Sequence, residues 1–468
     1  LDEDEMATTA IGGDGTFTAG VCDVAGDLAK SATAPALRVA LAALAAAGGL
    51  TAGAVQAQSY YDRSSVTDVA GRARPEYEAQ GVHVGSFTVY PRASLTDIYD
   101  DNVYALPQKT GGDIVAVAPS VDIVSNWGRN SLDVHLQYER DQYLQQPSES
   151  SNEYSMTANA GIDVDSRSKL SLNLGAAQLT EPRTDSDSIA GLTVPVRYDL
   201  ISGGAGAYRE FGRFRLDLSA AANYYSFYNV PLAPGSYEAF DDEIFSVGKA
   251  LYYNEALRDE ISTSETLRLS WALDPNFAVF TQVQPNQSNF IHEPRASLGS
   301  YDSTGYEVLT GLNGQLTHLI RYDVGIGYLD QHYASAQIPD ATGVAYNIDA
   351  VYDITQLITL KLSGRHSIQA AGVPGSAASD VDTASAGADV ELLRNLILSP
   401  NFAYYHYIYP GTQRIDSRYF GGINATYLVN RVLGLTASYS YIQQISNGAF
   451  GGYNFNDNRV SIALTVQR

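Results

Sequence analysis

The sequence predicts an all-β chain folded as a single transmembrane antiparallel up-and-down β-barrel of about eighteen strands. Three observations carry that expectation. Residues 86–468 repeat one unit nine times: an alternating segment, a polar loop, a second alternating segment and a turn of a few residues. The connections alternate strictly between short and long, as expected of tight periplasmic turns facing longer extracellular loops. No apolar run of helix-spanning length lies past residue 57, and charged residues make up only 17 % of the chain. A barrel passes unseen through window-averaged hydropathy because lipid-facing and lumen-facing residues alternate and cancel.

The one membrane-like segment is N-terminal. Lys30 and Arg38 precede the apolar stretch Val39 to Val55, and Val55-Gln56-Ala57 supplies a small-residue cleavage site. Residues 1–57 therefore read as a secretory signal peptide, with cleavage near Ala57. Leu1–Ala29 is acidic and unsuited to an n-region, so the start is expected downstream of Leu1. Cys22, the single cysteine, falls in the removed part, so the exported chain has no disulfide. Residues 58–85 are expected to form a periplasmic N-terminal extension, too short for a folded plug domain.

The barrel proper, 86–468, is expected to run through strands 86–98, 113–125, 131–143, 153–164, 169–180, 196–209, 213–228, 261–273, 277–290, 303–316, 320–334, 341–354, 357–370, 381–392, 395–408, 416–429, 432–446 and 456–467. In the third strand Leu132, Val134, Leu136 and Tyr138 oppose Asp133, His135 and Gln137. In the fifth, Leu170, Leu172, Leu174 and Ala176 oppose Ser171, Asn173 and Gly175. The seventh sets Phe214, Leu216, Leu218, Ala220 and Ala222 against Arg213, Arg215, Asp217, Ser219 and Asn223. The last is the cleanest, with Val460, Ile462, Leu464 and Val466 on one face and Ser461, Ala463, Thr465 and Gln467 on the other. Period two with one wholly apolar face means a strand between two different environments.

Even-numbered strands end in tight turns such as Gly212, Asp274-Pro275-Asn276, Thr317-His318 and Asn430-Arg431; odd-numbered ones end in longer loops. The longest is Asn229–Glu260, in which 241–258 reads as a strand, a short helix or loop and is assigned to loop. A soluble sandwich is the competing fold, but its strands run about 5–6 residues. A tilted membrane strand needs about 9–11.

The net charge is −23, and loss of residues 1–57 removes seven acids and two bases to leave −18. That sign disfavours nucleic-acid partners. Tyr (33) far outnumbers Phe (14), which suits both strands and the headgroup level of a membrane.

Tyr90-Pro91-Arg92-Ala93-Ser94-Leu95, followed by Tyr99-Asp100-Asp101-Asn102-Val103-Tyr104, resembles the first hairpin of the putative β-barrel porin 2 family. The closing Asp457-Asn458-Arg459-Val460 resembles that family's last strand, and the resemblance runs from Pro75 to Arg468. It implies an outer-membrane barrel of Gram-negative bacteria, with outer-membrane lipid and the barrel assembly machinery as partners. It implies no catalytic residues.

The expected function is a porin-like channel or translocation conduit, with surface saccharides as the specific version. The alternatives are a closed barrel anchoring a surface-polysaccharide or envelope assembly with a periplasmic export partner, and, as a minor one, an outer-membrane enzyme. The seven His residues show no metal-ligand spacing, and no G-x-S-x-G occurs. The expectation is accordingly no catalytic, cofactor or metal site. Asp97, Asp100, Asp101 and Asn102 are oxygen-rich and suit Ca²⁺, but they lack ordered calcium-loop spacing and read as a solvated turn. Asp133, His135, Arg213, Arg215, Asp217, Lys361 and Arg365 are expected to line the pore. Asp241, Asp242 and Glu243 are expected at its mouth, in a loop that carries seven acids against two bases and would favour cations.

Overall fold

A computed structural model describes Tyr61 and residues 68–189, 192–232, 244–247, 250–292, 299–373, 376–448 and 452–468. The expected signal peptide lies outside them. Eighteen strands form one closed wall: β1 (Phe87–Asp100), β2 (Gly112–Ser125), β3 (Ser131–Tyr143), β4 (Ser151–Asp165), β5 (Ser168–Thr180), β6 (Arg197–Phe211), β7 (Phe214–Phe227), β8 (Glu260–Asp274), β9 (Phe277–Phe290), β10 (Ser303–Leu316), β11 (Ile320–Tyr333), β12 (Ala341–Thr355), β13 (Ile358–Ala370), β14 (Ala378–Leu393), β15 (Leu396–Ile408), β16 (Ile415–Leu428), β17 (Leu433–Asn447) and β18 (Phe455–Gln467). Each pairs antiparallel with its sequence neighbours. β18 returns to β1, from Arg92 opposite Gln467 to Asp100 opposite Arg459, and closes the barrel. Closure leaves no sheet edge in the wall, which is what a bilayer demands of strands.

The alternation in the sequence becomes the two faces of this wall. Val460, Ile462, Leu464 and Val466 of β18, and Leu267, Leu269 and Trp271 of β8, stand exposed on the outside. Aromatic rings gather at both ends of that outer belt. Phe214 stacks on Trp271 at 6.1 Å and Phe87 meets Trp127 at 5.5 Å on the short-turn side. Tyr138–Tyr154 and Tyr404–Tyr419, each at 5.1 Å, lie toward the long loops. These are the two interfacial girdles of a membrane barrel. The tight turns follow local chemistry: Gly212 sits at φ +61° between β6 and β7, a conformation that costs glycine little.

The long loops are folded. Val230–Pro231, Ile244–Val247 and Ala250–Tyr253 form a small three-stranded sheet, followed by a 3₁₀ turn at Glu255–Arg258. The assignment of 241–258 to plain loop is thus corrected for its described part. Its strand pair needs a partner surface, supplied by an apolar cluster of Ile189, Leu192, Val196, Val230, Leu232 and Tyr253. A bridge between Leu192 and Leu232 ties the β5–β6 loop to the β7–β8 loop.

One seam in the wall is incomplete. β12 and β13 pair only from Asn347–Arg365 to Thr355–Ile358, so 341–346 and 366–370 face each other without a ladder. The upper part of the β13–β14 hairpin bends inward there. Ile368 packs on Phe280, Leu309, Leu329 and Ala345, all on the inner wall.

Candidate translocation path through the barrel

The inner wall carries ion pairs in its half nearer the short turns. Arg268 of β8 reaches Asp323 of β11 at 2.5 Å, and Asn313 donates to the same carboxylate at 2.7 Å. The Arg268 guanidinium lies 3.6 Å from the Phe280 ring centroid. Arg215 pairs with Asp217 at 2.8 Å and stacks on Tyr208 at 4.0 Å. A cavity of about 500 Å³ opens between these groups, bounded also by Tyr61.

A second cavity of about 510 Å³ lies toward the long loops. Tyr198, Tyr225, Phe227, Phe290 and Tyr407 line it together with the acids Glu181, Asp185, Asp187 and Glu260 and one base, Arg258. Tyr198 stacks on Phe227 at 5.2 Å and Tyr225 on Phe227 at 6.4 Å. On the other side only Tyr407 reaches the chamber; it stacks between Tyr405 and the fully buried Tyr409 at 6.1 and 6.4 Å. Their i, i+2 spacing puts all three on one face.

Charge in this chamber centres on Arg258, which lies 2.8 Å from Glu181 and 3.1 Å from Glu255. Burial pushes the Glu181 carboxyl up to about 7, with Glu255, Asp185 and Asp187 adding repulsion against the pull of Arg258. Burial likewise raises Asp187. Burial alone would lower Arg258, but the surrounding carboxylates hold it well above its ordinary value.

The β5–β6 loop crosses the path at the long-loop end, and residues 69–77 follow the rim at the short-turn end. At the long-loop end, Arg183 forks onto Glu149 at 2.8 and 3.0 Å and anchors the β5–β6 loop beside its own hairpin. The loop then reaches the opposite side: Arg414 donates to the Ser186 carbonyl at 2.8 Å, and the Gly372 amide donates to Asp187 at 3.0 Å. Gly372 and Arg414 follow β13 and β15, about halfway round the eighteen-stranded wall from β5, so these contacts span the mouth.

At the short-turn end, residues 69–77 run beneath the wall. The Val69 amide donates to Thr359 at 3.1 Å, and Arg74 pairs with Glu391 at 2.8 Å with both side chains buried. Arg72 joins Glu391 at 3.2 Å and also meets the Gln356 carbonyl. Arg431 donates to the Pro75 carbonyl and Gln467 to that of Tyr77. Tyr61 donates to the Arg213 carbonyl at 3.0 Å.

Six of the seven expected pore-lining residues face inward. Asp133 stands exposed on the inner face of β3. His135 contacts Asp122 at 2.6 Å and Lys361 pairs with Asp389 at 2.7 Å. Arg215 and Asp217 share the central cavity, and Arg365 faces inward opposite Asn347. Arg213 is a correction. It is exposed in the turn before β7, because Gly212 ends the ladder at the rim. Asp241, Asp242 and Glu243 lie outside the described residues.

Sequence reasoning missed Arg268, Asp323, Glu391, Arg74 and Arg258. The first two sit on the inward parity of strands it had placed, so period two alone could have found them.

A family model described as Putative beta-barrel porin 2 matches residues 74–468. No curated protein sequence matches the chain. Among solved structures, the ferric enterobactin receptor PfeA of Pseudomonas aeruginosa is 8 % identical, with 84 % of this chain and 81 % of that chain covered and a TM-score of 0.43. The siderophore receptor PiuA of Acinetobacter baumannii is 8 % identical over 81 % and 82 %, with a TM-score of 0.45. A copper transporter, OprC, is 8 % identical over 83 % and 82 %, with a TM-score of 0.42.

Proposed function

The chain belongs to the Putative beta-barrel porin 2 family, an outer-membrane β-barrel of porin-like kind, and from that premise we propose that it is a gated conduit for saccharides. The observation that carries this reading is the chamber in which Tyr198, Tyr225, Phe227, Phe290 and Tyr407 stand among acidic side chains. A pyranose ring offers an apolar face of C–H groups and an equatorial rim of hydroxyls. Aromatic faces receive the first, and carboxylates accept hydrogen bonds from the second. Repeated rings along the wall let a chain of sugars move from one platform to the next without leaving contact.

The gate is the β5–β6 loop, which lies across the long-loop mouth, while 69–77 follow the rim of the other beneath β13–β18. Saccharides and a periplasmic export partner are its proposed partners besides lipid and the assembly machinery. The reading includes no catalysis.

The test is ion current through purified barrel in planar bilayers, titrated with neutral oligosaccharides. Oligosaccharide should interrupt the current, and Tyr407→Ala should weaken that block about tenfold while leaving the current itself in place. This corresponds to about 1.4 kcal/mol, the scale of an aromatic contact. Current that no saccharide interrupts would overturn the saccharide assignment. The closed, anchoring barrel is the second reading, favoured by the bridging of the long-loop mouth. Silence even after that bridge is cut would establish it.

A further inference from the structure

Where the first and last strands meet, closure assembles a group that neither strand holds alone. Asp100 ends β1 and Asp457 is the third residue of β18; both are fully buried, and each is two residues or fewer from the last register pair, Asp100 opposite Arg459. Asp101 joins them from the following loop, and one carboxylate oxygen from each of the three lies within 4.8 Å of the others. Two oxygens on opposite sides of a Ca²⁺ ion, each at about 2.4 Å, stand no further apart than that.

The protein's own donors do not exhaust these oxygens. Asp101 is held by the Asn458 amide and side chain, each at 2.8 Å, and by Lys109 at 2.7 Å. Asp100 accepts from the Asn102 amide at 2.7 Å. Arg459 Nε lies 2.9 Å from Asp100 Oδ2 and 3.1 Å from Asp457 Oδ2. Asp457 Oδ1 is buried and has no hydrogen-bond donor among the described residues. Three carboxylates against the two bases Arg459 and Lys109 leave the group one charge negative. A buried carboxylate oxygen beside a second carboxylate is costly unless a cation or proton lies between them.

We propose that Asp100, Asp101 and Asp457 hold a Ca²⁺ ion that clamps the closing seam of the barrel at its extracellular end. Oxygen-only donors with irregular spacing suit Ca²⁺, which takes six to eight oxygens in flexible geometry; water completes the set on the side where Asp101 is exposed. Asp97, grouped with these residues by sequence proximity, is no part of the site. It points outward with Leu95 and Tyr99, and stands exposed opposite Ile462. The ion joins residues 100 and 457, so it adds to the ladder and to the Arg459–Asp100 and Asn458–Asp101 contacts that hold the same closure.

The test is Tb³⁺ luminescence on the folded, detergent-solubilised barrel, with Tyr99 beside the site as antenna and Ca²⁺ as competitor. Wild type should show saturable emission that Ca²⁺ displaces, and Ca²⁺ should raise its melting temperature. Asp457→Asn should bind at least tenfold more weakly and lose the thermal shift. Where Asp457→Asn does not reach the folded, heat-modifiable form, Asp101→Asn is the variant measured, since it changes only the loop ligand. Absent or non-displaceable emission in wild type overturns the proposal. So does unchanged affinity in the folded variant.

Discussion

Glu181 is one of the buried acids whose charge state bears on the stability of the long-loop mouth. Its carboxyl titrates at about 7 in the folded chain against 4.5 for an ordinary glutamate, because burial outweighs Arg258. Between those values the folded form holds the extra proton, so the loop is most stable below pH 4.5 and loses stability as pH rises through 7. Each unit of such a shift is worth about 1.4 kcal/mol. Limited proteolysis of the β5–β6 loop should therefore accelerate from pH 5 to pH 8 in wild type. In Glu181→Gln the slope should be smaller, the remainder coming from Asp187 in the same loop, and a variant that kept the wild-type slope would remove Glu181 from the explanation. The same scale shows what single residues disclose. His135, Arg215, Asp217 and Lys361 were legible as inward-facing from period two. Their partners Asp122 and Asp389 lie on neighbouring strands, where only register places them.

At the scale of elements, the half-unpaired seam between β12 and β13 separates this wall from a uniform one. An antiparallel strand alternates its amides between its two neighbours, so the amides of 341–346 that face β13 have no ladder acceptor. What holds the bent hairpin is local: His366 contacts the Val344 carbonyl at 2.6 Å and Asp380 at 2.5 Å, and Tyr346 donates to Asp382 at 2.8 Å. Hydrogen exchange followed by peptide mapping should find 341–346 and 366–370 exchanging well ahead of 303–316 or 433–447, whose ladders are continuous. Equal protection would mean the seam closes in the membrane. Sequence gave correct strands here, yet no sign of the gap. Residues 341–354 alternate as evenly as any other strand, and pairing is a property of two segments.

At the scale of the whole molecule the contact that crosses the path is the β5–β6 loop, so loosening it should raise conductance. Arg414→Gln weakens the grip on Ser186 and should conduct more than wild type. Glu391→Ala leaves Arg74 buried without its ionic partner, a loss on the order of 3–5 kcal/mol, but loosens only residues 69–77 along the rim and should conduct like wild type. Bilayer recordings of the two variants test this, and a conductive Glu391→Ala beside a silent Arg414→Gln would refute it. The opened pore should prefer cations, since Glu181, Asp185, Asp187 and Glu260 line the outer chamber against Arg258 alone. A reversal potential of the anion-selective sign in a KCl gradient would contradict that.

The sequence by itself determined the barrel, its eighteen strands, their inner and outer faces and the side of the long loops. Each of these follows from a local pattern, a period of two broken by short and long connections, and local patterns survive in the linear chain. Only the tertiary structure decided that residue 74 meets 391, that 186 meets 414 and that 100 meets 457. Those meetings depend on the curvature that returns β18 to β1. Once the wall closes, loops and termini far apart in sequence share one narrow lumen, and the charges they carry must pair there.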